Sequence, residues 1–298
     1  MENKPIHISI VIIGYNTKDS LKNVLESINN LIVKNHLIEV IYIDDGSTDN
    51  SLEVFNNYPL KFNRQKFHCK NNKGRSHARA KGVELATGEW ILFLNSNILV
   101  KSDLIIQYTR SITNNNAYVF TGSLNYSTKD SVFQKYLNHS NRGIKRYQNN
   151  EHVDYQNLLF SNSIVHKSLF NHVKFDPHLK YYGGEELDFA YRLHKQFPKM
   201  IRATSNAVGT RINHPDYQQH LYKLIEFGET NFKNLDQQLK QNIVKWNVFL
   251  MKNVVFKGMF NILYHLCRKS YKMPLVSNII IQTGMLSAIL KGYYKNTK

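Results

Sequence analysis

Residues 39–51 read Glu39-Val-Ile-Tyr-Ile-Asp-Asp-Gly-Ser-Thr-Asp-Asn-Ser51. Glu39–Ile43 is a short, largely apolar run of strand length. It stops at Asp44-Asp45-Gly46-Ser47-Thr48-Asp49, a polar turn rich in residues that cap helices, and a helix over 50–57 follows. The same grammar precedes it. Ile8–Ile13 is a continuous β-branched run, as expected of a strand buried on both faces. Gly14-Tyr15-Asn16 ends that run, and Leu21, Val24, Leu25, Ile28 and Leu31 then recur at helical spacing, predicting a helix over 18–32. Strand, helix, strand, helix in this rhythm implies a parallel sheet with right-handed crossovers.

The rhythm continues outward. Phe62–Phe67 is a third strand, 76–87 a helix, and Trp90–Leu94 a fourth buried strand ending in Asn95-Ser96-Asn97. A helix near 102–114 and a strand near 117–121 follow. Residues 125–156 are polar and irregular. Leu158–Phe160 reads as a strand, 167–173 as a short helix and 185–196 as another helix. Just before that last helix stands Gly183-Gly184-Glu185-Glu186. Two glycines permit a sharp turn and a close backbone approach, and two acids suit the first turn of a helix. They are also placed to deprotonate a hydroxyl; an acidic helix cap is the plainer alternative.

The chain has 298 residues, of which 42% are hydrophobic and 12% aromatic, enough for one large α/β domain with an appendage. Two cysteines, Cys69 and Cys267, supply neither a disulfide framework nor a metal cluster and predict a reducing, cytoplasmic setting. The apolar run Ile6–Ile13 is too short, and wrongly flanked, for a secretory signal. The net charge of +17 is uneven. Residues 241–298 hold nine Lys or Arg and no acid, leaving 30 basic and 22 acidic side chains elsewhere. Such asymmetry predicts an anionic partner. Trp246–Met251, the apolar residues from Val254 to Leu266, and 279–290 are interrupted by basic or polar residues, and a membrane span needs about 20 predominantly apolar residues. Basic amphipathic helices suit an anionic membrane surface. Packing on the catalytic domain or on a second copy of the chain is the alternative, and no nucleic-acid motif is present. The expected division is 1–215 and 216–298.

Open α/β sheets bind ligands beyond the carboxyl ends of their strands, where the turns at 14–16, 44–49 and 95–97 fall together. In order along the chain stand Ser9-Ile-Val-Ile-Ile-Gly-Tyr-Asn16, Ile43-Asp-Asp-Gly-Ser-Thr-Asp-Asn-Ser51, Asn72-Lys-Gly-Arg-Ser-His-Ala-Arg79 with Ala86-Thr-Gly88, Phe93-Leu-Asn-Ser-Asn97 and Gly183-Gly-Glu-Glu186. Together, over about residues 6–215, they resemble a family 2 glycosyltransferase of the GT-A fold: a Rossmann-like, mostly parallel sheet flanked by helices, here with a C-terminal helical extension. No Gly-x-Gly-x-x-Gly follows the first strand, which argues against a dinucleotide-dependent oxidoreductase.

The resemblance implies an inverting hexosyl- or N-acetylhexosaminyl-transferase. It would use a UDP-sugar donor and a glycan or lipid-linked acceptor in cell-surface polysaccharide synthesis, on the inner face of the membrane. It assigns Gly14, Tyr15 and Asn16 to the nucleotide, with Tyr15 stacking near the uracil that Asp45 reads. Asp44 is the weaker candidate because it should hold the turn. Lys73, Arg75 and Arg79 are expected on the diphosphate. Gly183, Gly184 and Glu185 fall to the acceptor, and Glu186 to the catalytic base, with Glu185 able to take that role instead. Where the family usually has Asp-x-Asp for a divalent cation, Mn²⁺ or Mg²⁺, this chain has Asn95-Ser96-Asn97. Amides bring no charge to a hard cation. Three outcomes are open: weak metal binding through Asn97 and His214, basic residues in place of the metal, or a chain that binds nucleotide sugar with little catalysis.

Overall fold

In a computed structural model the structure describes residues 4–245 and 254–295. The strands are β1 (His7–Gly14), β2 (Leu37–Asp44), β3 (Asn63–His68), β4 (Trp90–Asn95), β5 (Ile98–Val100), β6 (Val119–Tyr126), β7 (Asn162–His166) and β8 (Ile201–Arg211). They form an eight-stranded sheet in the order β3-β2-β1-β4-β7-β6-β8-β5. β1 to β4 are parallel, β6 and β8 are parallel to each other, and β7 and β5 run against their neighbours.

The register makes the site. Gly14 pairs with Asp44 and Ile13 with Asn95, so three strands end side by side. Alternate residues of β1 serve two cores, as the period of two requires. Val11 and Ile13 pack with Ile41, Phe93 and Phe189 on one face. Ile8, Ile10 and Ile12 pack on the other with Leu21, Val24 and Ile28 of α1 (Lys18–Asn29). The helices α2 (Ser51–Asn57), α3 (Arg75–Leu85), α4 (Leu104–Thr113), α5 (Ser131–Leu137) and α6 (Glu185–Gln196) follow in order.

Three expectations need correction. Leu158–Phe160 is not a strand: Leu158 and Phe160 are buried as apolar plugs, and the strand is β7. β7 opens on polar residues whose partners are distant, Asn162 Nδ2 donating to Ser123 O at 3.0 Å and Ala207 O at 2.9 Å. β8 has no apolar pattern to announce it, and β5, Ile98-Leu99-Val100, is only three residues long. The 167–173 helix is a 3₁₀ turn over Lys167–Asn171.

Beyond β8 lie α7 (Tyr217–Glu229), α8 (Asn231–Asn234) and α9 (Gln237–Val244). Then α10 (Val254–Ser270) and α11 (Ser277–Tyr294) form an antiparallel hairpin, with Lys291 Nζ 4.1 Å from the Tyr264 ring. α11 packs along α7 so closely that a Cβ on Gly228 would lie 2.0 Å from Ile289 O, and one on Gly292 would lie 2.0 Å from Ile225 O. Trp246–Met251 lies outside the described residues. Among the described residues no helix is long and apolar enough to cross a membrane. The hairpin turn leaves Met273, Leu275, Val276 and Ile279 exposed.

Candidate active site

The aligned strand ends open into a cleft of about 600 Å³. Gly14, Tyr15, Asn16, Asp45, Arg75, Asn95, Ser96 and Asn97 all line it. Tyr15 is 47% exposed, a free aromatic face at the mouth. Asn16 sits at φ +51°, and its Oδ1 accepts from Thr48 N at 2.8 Å, tying the first turn to the second. Asp44 faces away from the cleft. Its carboxylate accepts from Ser47 N at 3.1 Å and from the Ser47 hydroxyl, and its Oδ2 lies 2.9 Å from His68 Nδ1, so it holds the turn. Asp45 is buried and accepts from Lys73 N and Gly74 N, each at 2.9 Å. Burial pushes its carboxyl above the ordinary value despite those donors.

The acid pair begins α6. Gly183 and Gly184 have φ of +82° and +86°. A Cβ on Gly184 would sit 2.7 Å from Phe227 Cε2 of α7, so this corner needs glycine for both conformation and space. Asn231 clamps the loop from α8, Nδ2 donating to Tyr181 O at 2.7 Å and to Gly183 O at 2.8 Å. Arg79, wholly buried, lies beneath both acids. Its Nη1 donates to Glu185 Oε1 at 3.0 Å and its Nη2 donates to Glu186 Oε1. The two acids differ. Glu185 retains 2% of its side-chain exposure and Glu186 18%. Burial disfavours the Glu185 anion, yet the Arg79 and Arg75 charges outweigh it and hold that carboxyl below its ordinary value. Burial raises Glu186, and the neighbouring Glu185 charge adds to the rise against Arg79. Asp188 and Arg192, spaced i to i+4, pair at 2.6 Å on the same helix.

Arg75 joins the two halves. It lines the cleft, reaches Glu185 Oε1 at 3.8 Å and lies 5.1 Å over the Tyr182 ring. Two of the expected diphosphate cations are elsewhere. Arg79 serves the acids, and Lys73 meets Asp45 through its backbone N–H, outside the cleft lining. Lys180, Arg211 and Lys223 also line the cleft, and no motif in the sequence marked them. Lys223 Nζ lies 5.3 Å from the centroid of the same Tyr182 ring, so one ring serves two cations. Arg211 directly precedes Ile-Asn-His-Pro at the end of β8, a strand with no readable pattern.

The residues at the usual metal position do not suit a divalent cation, and the cleft's two exposed carboxylates, Asp19 and Glu226, stand on α1 and α7 rather than at that position. Asn95 is buried, Nδ2 donating to Ser161 Oγ at 3.1 Å, and its Oδ1 has no partner among the described residues. Asn97 Nδ2 donates to Ile212 O at 3.3 Å. His214 does not line the cleft. It is buried against Tyr126, Phe133 and His220, and burial with the Arg211 charge pushes it down to about 3. Asp45, Cys69 and His77 do bring ligand atoms within 4.8 Å of one another. Cys69 and His77 are outside the cleft lining, and burial pushes the Cys69 thiol up to about 11. Hard cations bound by oxygen depend on free carboxylates, and the buried one here already accepts two backbone N–H groups.

Residues 9–174 match the family described as Glycosyl transferase family 2. Over 200 residues the chain is 31% identical to glycosyltransferase GlyG of Streptococcus pneumoniae, covering 63% of this chain and 64% of that protein. Over 119 residues it is 31% identical to the poly(ribitol-phosphate) beta-glucosyltransferase of Bacillus spizizenii, covering 39% of this chain and 19% of that protein. It thus spans less than two thirds of these relatives. S. aureus TarS 1-349 in complex with UDP-GlcNAc superposes with a TM-score of 0.60 at 15% identity, over 97% of this chain and 92% of TarS. The mannosyltransferase PcManGT of Pyrobaculum calidifontis, with GDP-Man and Mn²⁺, gives 0.63 at 11% identity, over 99% and 89%.

Proposed function

This chain belongs to glycosyl transferase family 2, with a GT-A fold, and from that premise we propose that it moves a sugar from UDP to a hydroxyl of a glycan or lipid-linked acceptor, with inversion. The observation that carries the reading is Arg75, which lines a cleft bearing Tyr15 and Asp45 and also reaches the acid pair. A nucleobase needs an aromatic face and an acceptor for its imide N–H. Tyr15 supplies the face and Asp45 the carboxylate. UDP is the nucleotide to test first because TarS binds UDP and UDP-GlcNAc. The poly(ribitol-phosphate) glucosyltransferase relative supports a cell-surface polymer as acceptor.

In this reading Glu186 is the base. It is the more exposed acid, and its raised pKa suits proton abstraction. It takes the acceptor proton as that oxygen attacks the anomeric carbon. The bond from that carbon to the diphosphate breaks, and UDP leaves with the electron pair. Arg79 and Glu185 hold Glu186 in place. No step passes through a divalent cation. The hairpin turn of α10 and α11, with exposed Met273, Leu275, Val276 and Ile279 beside Arg268, Lys269 and Lys272, supports residence on an anionic membrane at its cytoplasmic face.

The amides at 95 and 97 favour a second reading, a nucleotide-sugar-binding protein with little catalysis. Both readings are tested by incubating the full chain with UDP-GlcNAc, UDP-Glc and UDP-Gal and following UDP release with and without a ribitol-phosphate polymer. Acceptor-stimulated release supports transfer. Nucleotide binding without release supports the second reading. Vesicle flotation tests the hairpin: Leu275→Asp should abolish binding to anionic vesicles, and binding unaffected by it, or a dimer in its place, refutes membrane residence through this turn.

A further inference from the structure

The polar cleft is unevenly charged. Arg75, Arg211, Lys223 and Lys180 line it, against Asp19, Asp45 and Glu226. Asp45 already accepts from two backbone N–H groups, which offset part of its charge, and Asp19 and Glu226 are exposed to solvent. Among the described residues neither Arg211 nor Lys223 has a carboxylate within 4 Å, and Arg75 has only the 3.8 Å contact with Glu185. Three cations thus converge from three elements: Arg75 opens α3, Arg211 closes β8, and Lys223 lies on the second turn of α7. Burial lowers the Lys223 pKa, and the Arg75 and Arg211 charges lower it further, with Glu226 opposing. Charges that repel each other in a partly enclosed cleft are arranged for an anion. Two of them are guanidinium groups, able to grip phosphate oxygens bidentately. The same cleft is lined by the neutral amides Asn95 and Asn97, where carboxylates would have opposed that anion unless a metal intervened.

We infer that Arg75, Arg211 and Lys223 neutralise the diphosphate of the nucleotide sugar in place of a divalent cation, so that this chain binds its donor without metal. The inference rests on the nucleotide-sugar reading. It replaces a mobile ion with fixed side chains and explains both amides at once: a carboxylate at 95 or 97 without its metal would repel the phosphates.

Calorimetric titration of the full chain with UDP, in EDTA and then in Mn²⁺, tests it, with UMP and GDP as comparators. The expected result is UDP affinity that differs by less than threefold between the two buffers. In EDTA, Arg211→Gln with Lys223→Met should weaken UDP tenfold or more while changing UMP by less than threefold. Retained UMP binding also shows that the variant is folded. UDP affinity that rises threefold or more with Mn²⁺, or a double variant that binds UDP as well as the parent does in EDTA, overturns the inference and leaves the nucleotide site intact. Absence of UDP and GDP binding in both buffers overturns the nucleotide-sugar reading along with it.

Discussion

Arg79 and Glu185, 106 positions apart, meet at 3.0 Å with 0% and 2% of their side chains exposed. A buried pair of this kind contributes little net stability relative to an apolar pair, but removing one partner strands a charge. Arg79→Met strands two, and should destabilise the fold by about 3–5 kcal/mol. Adding Glu185→Gln should recover part of the loss. Urea unfolding of the single and double variants checks both; additive losses would show that the pair is not coupled.

Glu186→Gln should lower transfer by a factor of about 10²–10⁴ and leave UDP affinity within a few-fold, since the base acts on the acceptor. Because the Glu186 carboxyl titrates above its ordinary 4.5, and the base must be ionised, kcat/KM should fall with decreasing pH through a midpoint above 4.5. A pH–rate profile reads that midpoint. Unchanged turnover in Glu186→Gln would assign the base elsewhere.

His214 is neutral in the fold, with its pKa at about 3 against an ordinary 6.5. Below 6.5 the unfolded chain takes up a proton that the folded chain refuses, so stability is full above 6.5 and declines as pH falls towards 3. The loss is on the order of a few kcal/mol over that window. His214→Phe fits the aromatic setting of Tyr126 and Phe133 and should flatten the decline. Thermal melts at pH 7.5 and 5 compare the two slopes.

Gly184→Ala should destabilise by about 1–3 kcal/mol, because alanine at φ +86° is strained and its Cβ would push on Phe227. The same shift displaces Glu186, so kcat should fall more than KM changes. Melting and steady-state kinetics on one preparation separate the two effects.

The half of the candidate site at the strand ends is legible in sequence because its residues end strands that are themselves legible. Ile8–Ile13 and Glu39–Ile43 are apolar runs, so Tyr15 and Asp45 could be set on one sheet edge before any pairing was known. Glu185 and Glu186 were legible for a similar reason, as two acids behind two glycines at the start of a periodic helix. Arg79 was not, since its partners are 106 and 107 residues away and nothing local distinguishes it from a surface arginine. Arg211 and Lys223 were hidden differently. The strand carrying Arg211 is built from small and polar residues, and buried Asn162, which donates to Ala207 O within it, satisfies its backbone from afar. Hydrophobic periodicity cannot register such a strand. Arg75 lines the cleft from the start of a legible helix, but its reach to Glu185 depends on the same long-range geometry.

The contact of Gly228 with Ile289, and of Gly292 with Ile225, makes α7 and α11 a single stiff strut. One flank of that strut carries Lys223 into the cleft, and Phe227 on the same helix presses the Gly183–Gly184 corner from which Glu186 projects. The far end is the exposed apolar turn at 273–279. The packing of α7 on α11 therefore links that turn to Lys223 in the cleft and to the glycine corner before Glu186. The exposed turn and the two halves of the cleft are thus borne on one continuous piece of helical packing.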